Sequence, residues 1–252
     1  MTDVLFALLL REFQTRFGSR RMGAFWMIFE PAIHVFVMLF IFSVIRARSV
    51  QGMDYPLFLL SGLIPFFMMR NIAQKLMGAV SANQSLFVYP NIKIFDTYIA
   101  RTLVEVIIYC LIYLFFLFCL GYWFHYDVSI TNPIGFLGAL FTGILLSFGL
   151  GVFLSILVQA MPSIKVFVNV MFMVMYFISG ILFPLWIIPE KYMHWVLWNP
   201  YAHIISNIRD SAFKHYPGVS GVNWMYPIIV TIGMLFIAFG LYKFRKERLL
   251  TQ

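Results

Sequence analysis

The chain has 252 residues, 62% of them hydrophobic and 11% charged, with a mean hydropathy of +0.88. A soluble domain of this size carries about 25% charged residues, so lipid is the solvent for most of this surface and a water-soluble enzyme is excluded. The formal charge of +8 therefore has to be read by where the basic residues fall, because in such a chain they report topology before nucleic-acid binding.

In chain order, the opening MTDVLFALLLREF has Asp3 where a secretory leader carries a basic region, and its apolar run ends at Arg11 without a small-residue cleavage site. It reads as part of the fold. Phe6, Leu9, Leu10, Phe13 and Phe17 recur at helical spacing, with Glu12, Thr15, Arg16 and Ser19 around the rest. That pattern predicts an amphipathic helix within residues 1–22, lying on a membrane surface.

A spanning helix needs about 20 mostly apolar residues. Stretches at 24–45, from 55 onward, and at 102–124, 134–159, 166–188 and 226–244 satisfy this. The second is purely apolar only to Met69, and Arg70 and Lys75 are expected to snorkel to the far interface. The predicted fold class is all-α, a polytopic membrane protein with six transmembrane helices in one domain. Arg11, Arg16, Arg20, Arg21, Arg70, Lys75, Lys93, Arg101, Lys165, Lys243, Arg245, Lys246 and Arg248 fall on one side of these spans. Only Arg46, Arg48, Lys191, Arg209 and Lys214 fall on the other. The first side is expected to be cytoplasmic, and with it both termini.

Within the spans, Glu30 precedes Pro31 with His34 one turn on. A carboxylate there either holds a kink or faces a conduit, since charge in a membrane is costly. Cys110 and Cys119 share one predicted span nine residues apart, about 13 Å along a helix and too far to bond each other. They read as packing residues. Arg101 and Glu105 are spaced to pair within one helix. Ser147, Gly151 and Ser155, with Gly143 and Gly149, form a small-residue row. Such a row lets helices approach closely, either within the subunit or at a dimer seam.

Two segments between spans are too apolar for idle loops. Residues 84–96 gather Leu86, Phe87, Val88, Tyr89, Ile92 and Ile94 around Pro90, either a docking patch for a protein partner or a short surface helix. Residues 187–216 contain Pro189 and the pair Asn199–Pro200, which reads as a helix N-cap followed by proline at the first helical position. Beyond it Tyr201, Ile204, Ile205, Ile208 and Ala212 form a stripe, with His203, Asn207, Arg209, Asp210 and Lys214 around the rest. The expectation is a re-entrant outer helical pair, the second member amphipathic, between spans five and six. Trp186, Trp195 and Trp198 are then either an interfacial belt or the lining of an exit.

No motif supplies catalysis. The chain has no G-x-x-x-x-G-K-[ST] phosphate loop, no H-E-x-x-H and no Cys/His spacing for a metal, and its five histidines are scattered. No catalytic residue, metal ligand or cofactor is assigned to it.

The order of these pieces, with GAFWMIFEP (23–31), SGLIPF (61–66), SGILFPLWIIP (179–189) and NPYAHIISNIR (199–209), resembles the type-2 ABC exporter permeases. YPLFLLSGLIPFFMMRNI (55–72) and YPNIKIFDTYIAR (89–101) are similar to the capsular-polysaccharide, KpsM-like branch, related to the O-antigen and teichoic-acid permeases. The resemblance covers essentially the whole chain. Ser206 departs from it, standing where an acidic residue is expected after NPxxH.

The resemblance implies a bacterial inner-membrane exporter of lipid-linked capsular polysaccharide. It would be a homodimer joined to two ATP-binding cassette subunits that hold ATP and Mg, and would work with periplasmic and outer-membrane polysaccharide export proteins. It further implies ATPase-coupling contacts at Phe6, Phe13, Leu86, Phe87, Tyr89, Pro90 and Ile92. Arg16, Arg20, Arg21, Trp26, Glu30 and His34 would stand where a lipid-linked head group enters; the arginines there either meet its phosphate or only enforce topology. Trp186, Trp195, Trp198, Tyr201 and His203 would lie along the polymer path or outer gate. The rivals are an O-antigen or teichoic-acid permease or a small-molecule ABC exporter. Outside that class stand a membrane-embedded transferase, which needs a carboxylate or histidine cluster that the sequence lacks, and a non-transporting membrane scaffold.

Overall fold

The computed structural model describes residues 2–17, 29, 32–41, 53–87 and 92–250. These form helices α1 (Thr2–Phe17), α2 (Ala32–Ile41), α3 (Tyr55–Met77), α4 (Ala79–Ala82), α5 (Ile94–Phe124), α6 (Pro133–Ala160), α7 (Ile164–Ile178), α8 (Glu190–Leu197), α9 (Pro200–Ala212) and α10 (Met225–Leu250). No strand ladder forms among the described residues. Four helices, α3, α5, α6 and the Met225–Arg245 part of α10, are long and apolar enough to cross a membrane.

The helices alternate in direction. Tyr242, late in α10, meets Phe95 and Tyr98 at the start of α5 with ring centroids 6.0 and 6.3 Å apart. Tyr226, at the start of α10, donates its hydroxyl to the Trp198 carbonyl at 2.6 Å. The bundle therefore has one end carrying α1 and the start of α5, and an opposite end carrying α8 and α9.

α3 is the central post, packed by α5, α6 and α9 and buried on nearly every side. Close approach to α6 depends on the small-residue row. A Cβ on Gly151 would lie 2.7 Å from Leu76 Cβ and 3.1 Å from Ala73 Cα of α3. Gly149 admits Leu235 and Met234 of α10 in the same way. The row is thus spent on packing inside the subunit. Its serines are matched to tyrosines, Ser147 Oγ to Tyr201 OH at 3.1 Å and Ser155 Oγ to Tyr98 OH at 2.8 Å, because a buried hydroxyl without a partner is costly.

The fifth predicted span, 166–188, is corrected. α7 is only 15 residues long and ends at Ile178. Gly180 follows in the left-handed region at φ +70°, which favours glycine. Pro184, extended at φ −61° and ψ 138°, is followed only by a single 3-10 turn, Leu185–Ile187, and not by α-helix. The apolar run continues, but its backbone leaves the helix. Of the first predicted span, α2 covers 32–41 and Phe29 is helical, and the remainder lies outside the described residues.

Candidate functional site

At the first end, α1 lies against α5 with its polar side inward. Leu8 is buried, Arg11 Nη1 donates to Asn83 Oδ1 at 3.3 Å, and Glu12 Oε1 pairs with Arg101 Nε at 3.3 Å. Arg101 also donates through Nη1 to the Lys75 carbonyl at 2.9 Å, so one guanidinium ties α1 and α3 to α5. Phe6 is 62% exposed, Leu10 is exposed and Phe13 is partly packed. Phe6 and Leu10 thus point away from the protein, where a helix can meet lipid or a partner, while Leu9 and Phe13 pack on it.

Within 84–96 the expected exposed patch is corrected in part. Leu86 and Phe87 are only half exposed, and Phe87 packs on the core. Ile92 is half buried, and Ile94 and Asp96 already belong to the first turn of α5, where the Asp96 carboxylate accepts from Lys93 N at 3.3 Å. Tyr89 and Pro90 lie outside the described residues, as do Arg20, Arg21, Trp26, Glu30 and the side chain of Arg16.

At the opposite end, Asn199 caps α9 as its Asn–Pro pair predicts, its Oδ1 accepting from Tyr201 N at 3.0 Å. The expected amphipathic placement of α9 is a misreading. His203, Asn207 and Arg209 are buried together with the apolar stripe, and from Tyr201 to Ala212 only Asp210 is exposed. The physical reason is that α9 is clasped by α3, α6 and α10, and most of its polar groups find partners on α3, on α6 and on the loop backbone at Gly180, Ile181, Leu197 and Asn223. His203 accepts at Nδ1 from Asn223 N (3.2 Å), which leaves Nε2–H to donate to the Leu197 carbonyl (2.9 Å). Tyr201 and His203 thus stand inside the protein, holding elements together. Trp195 and Trp198 are 72% and 69% exposed, whereas Trp186 is half buried against Phe58 and Tyr216.

Arg209 is the feature the sequence reading missed. It is fully buried, and among the described residues no carboxylate pairs with it. Its Nη1 donates to the Gly180 carbonyl at 2.6 Å, and its Nη2 to those of Ile181 at 3.0 Å and Phe58 at 3.1 Å. The guanidinium carbon lies 3.6 Å from the Phe58 ring centroid. A Cβ on Gly62 would sit 2.4 Å from Nη2, so that glycine is the opening through which the guanidinium reaches α3. SGLIPF, SGILFP and NPYAHIISNIR therefore converge on one cation that satisfies the carbonyls released where α7 ends. Tyr55 OH caps the next one, Leu182, at 2.9 Å. The available signal was two Ser-Gly pairs and one arginine, each in a separate apolar stretch.

Between the two ends, α2 and α7 flank one face of α3. Phe67 is edge-on to His34 of α2 at 4.9 Å and stacked with Tyr176 of α7 at 5.9 Å. Gln74 donates to Asn169 of α7 at 2.9 Å. His34 and Asn169 are exposed. Polar groups at membrane depth normally face a protein interior or a wet cavity rather than lipid, so this face is set apart from the apolar surfaces of α5 and α10. No group of three or more His, Cys, Asp or Glu among the described residues is placed to hold a metal.

Residues 3–213 match the family described as ABC-2 type transporter. The chain is 38% identical to the polysialic acid transport protein KpsM of Escherichia coli over 97% of its length and 94% of that protein. It is 30% identical to the capsule polysaccharide export inner-membrane protein CtrC of Neisseria meningitidis serogroup A, and 29% to BexB, of the same description, from Haemophilus influenzae. Each of these two matches covers 83% of this chain and 79% of the relative.

Proposed function

Because the chain belongs to the ABC-2 type transporter family, we propose that it is the permease subunit of an exporter of lipid-linked capsular polysaccharide, driven by a separate ATPase. The end-to-end likeness to a polysialic acid transport protein carries this reading. The absence of a phosphate loop from the sequence agrees with it, since ATP and Mg then belong to the partner subunits. In this reading the side of the spans that gathers the basic residues, and with it both termini, lies in the cytoplasm of an inner-membrane protein. α2 and α7 complete six spans, and α8 with α9 forms the re-entrant outer pair.

In this reading the ATPase docks at the α1 end, where Phe6 is exposed and Leu86, Phe87 and Ile92 are half exposed. Tyr89, Pro90 and the inward-set Phe13 belong to the same coupling region. Arg16, Arg20, Arg21, Trp26, Glu30 and His34 receive the lipid-linked head group. The polymer then follows the face between α2 and α7 toward Trp195 and Trp198. A second copy closes that route. α7 carries an exposed stripe of Val166, Phe167, Val170, Met173, Val174 and Phe177 suited to a homodimer contact, and export proteins of the periplasm and outer membrane take the product onward.

The test is deletion of the gene followed by complementation. Loss of surface polysaccharide, with lipid-linked polymer accumulating inside the cell, is expected. Intact surface polymer in the deletion strain would refute the assignment.

A further inference from the structure

Arg70 lies fifteen residues into α3 and seven before its end at Met77, about 10 Å of helix from the α1 end. Side chains on a helix lean toward its N-terminus, and this one does. Its guanidinium carbon is 5.3 Å from the ring centroid of Phe67, one turn earlier. Arg70 therefore does not snorkel outward toward Lys75 and the interface as the sequence suggested. It leans back to membrane depth.

The side chain is half buried. Its Nε is enclosed without a hydrogen-bond partner, and among the described residues no carboxylate pairs with it. The Tyr176 hydroxyl is likewise enclosed and finds no partner among the described residues. Arg209 has its carbonyls and Arg101 has Glu12, whereas Arg70 has the face of Phe67. A cation at this depth costs several kcal/mol unless water or an anion meets it. Its planar fork matches a carboxylate or phosphate in bidentate fashion. Beside it the exposed His34, the half-buried Tyr176 and the Gln74–Asn169 amide pair offer aromatic edge and hydrogen-bonding groups, which suit a sugar ring better than a bare headgroup phosphate.

We propose that Arg70, with His34, Tyr176 and the Gln74–Asn169 pair around it, binds the carboxylate of an acidic sugar unit of the passing chain and so makes the route selective for anionic polymer. This rests on the reading of the chain as a polysaccharide exporter.

The test uses the intact permease–ATPase complex in phosphatidylcholine nanodiscs. ATP hydrolysis is followed against increasing α-linked oligosialic acid and against the same oligosaccharide with its carboxyls reduced to alcohols. The wild-type complex responds to the acidic form at about tenfold lower concentration, the scale of one charge-assisted contact. Arg70→Gln brings the two half-maximal concentrations together, and Arg70→Lys, which keeps the charge but loses the fork, gives an intermediate ratio. An Arg70→Gln complex that discriminates as the wild type does overturns the site while leaving the exporter reading in place. A wild-type complex that answers neither oligosaccharide overturns both. An Arg70 effect seen only when phosphatidylglycerol replaces phosphatidylcholine assigns the contact to a lipid headgroup and overturns the proposal as well.

Discussion

A methyl group at position 62 would sit 2.4 Å from Arg209 Nη2, and the side chain it meets is fully buried. Gly62→Ala is therefore expected to pull the cation off the Phe58, Gly180 and Ile181 carbonyls. The Phe58 carbonyl keeps Ser61 Oγ, whereas those of Gly180 and Ile181 lose their side-chain donor at about 1–3 kcal/mol each, so a loss of about 2–6 kcal/mol is predicted, read as a clear drop in the midpoint of thermal aggregation in detergent. Arg209→Met removes the same contacts. The double variant should then be much less destabilised than the sum of the two. Additive effects would mean that Gly62 and Arg209 do not share one site. Little of this was legible beforehand. NPYAHIISNIR has helical periodicity with its polar residues grouped, and in a soluble protein that grouping marks the solvent face. Inside a membrane protein, a polar face can equally be the buried one, because it finds carbonyls there and none in lipid.

At the scale of elements, the long helices could be read from hydropathy alone. α6 and α10 begin within one residue of the expected spans, and α3 begins at Tyr55 as expected. α5 begins eight residues before its apolar stretch at 102, because Asp96, Thr97 and Arg101 form helical turns outside the hydrophobic part. α7 was overextended by ten residues, since hydropathy counts Gly180 and Pro184 as ordinary apolar letters whereas the backbone does not. The packing partners were not legible, because lipid and a neighbouring helix ask for the same side chains. Gly151→Leu should prevent α6 from approaching Ala73 and Leu76 of α3 and reduce folded, monodisperse protein in size-exclusion chromatography; normal recovery would show that the close approach is dispensable. At the other contact, Glu12→Lys removes the partner of Arg101 and sets like charges about 3 Å apart. A cost of about 1–2 kcal/mol is expected, between the values for exposed and buried pairs. α1 should then become accessible to protease. Exchanging the two charges, Glu12→Arg with Arg101→Glu, should recover part of the protection, and no recovery would remove this pair as the tether of α1.

For the whole molecule, the proposed function divides labour along the membrane normal: an ATPase-receiving end at α1, a polar face past His34 and Arg70, and an outer end at α8. Phe87→Asp should abolish co-purification of the ATPase while the permease remains in the membrane, and unchanged co-purification would detach residues 84–96 from coupling. Trp195→Ala with Trp198→Ala should lower surface polymer severalfold without weakening that association. Unchanged export would return both tryptophans to an interfacial belt. The class of protein was legible from composition and the order of motifs, whereas the polar face was not, because Arg70 looks like any arginine near the end of an apolar run.

Transport itself can be watched in proteoliposomes that hold the permease with its ATPase and are loaded on the outer, ATP-accessible side with lipid-linked polysaccharide. If the chain is the exporter's permease, ATP and Mg make the polymer resistant to an externally added glycosidase, and the ATPase without the permease does not. Equal digestion of the polymer with and without ATP would contradict that role.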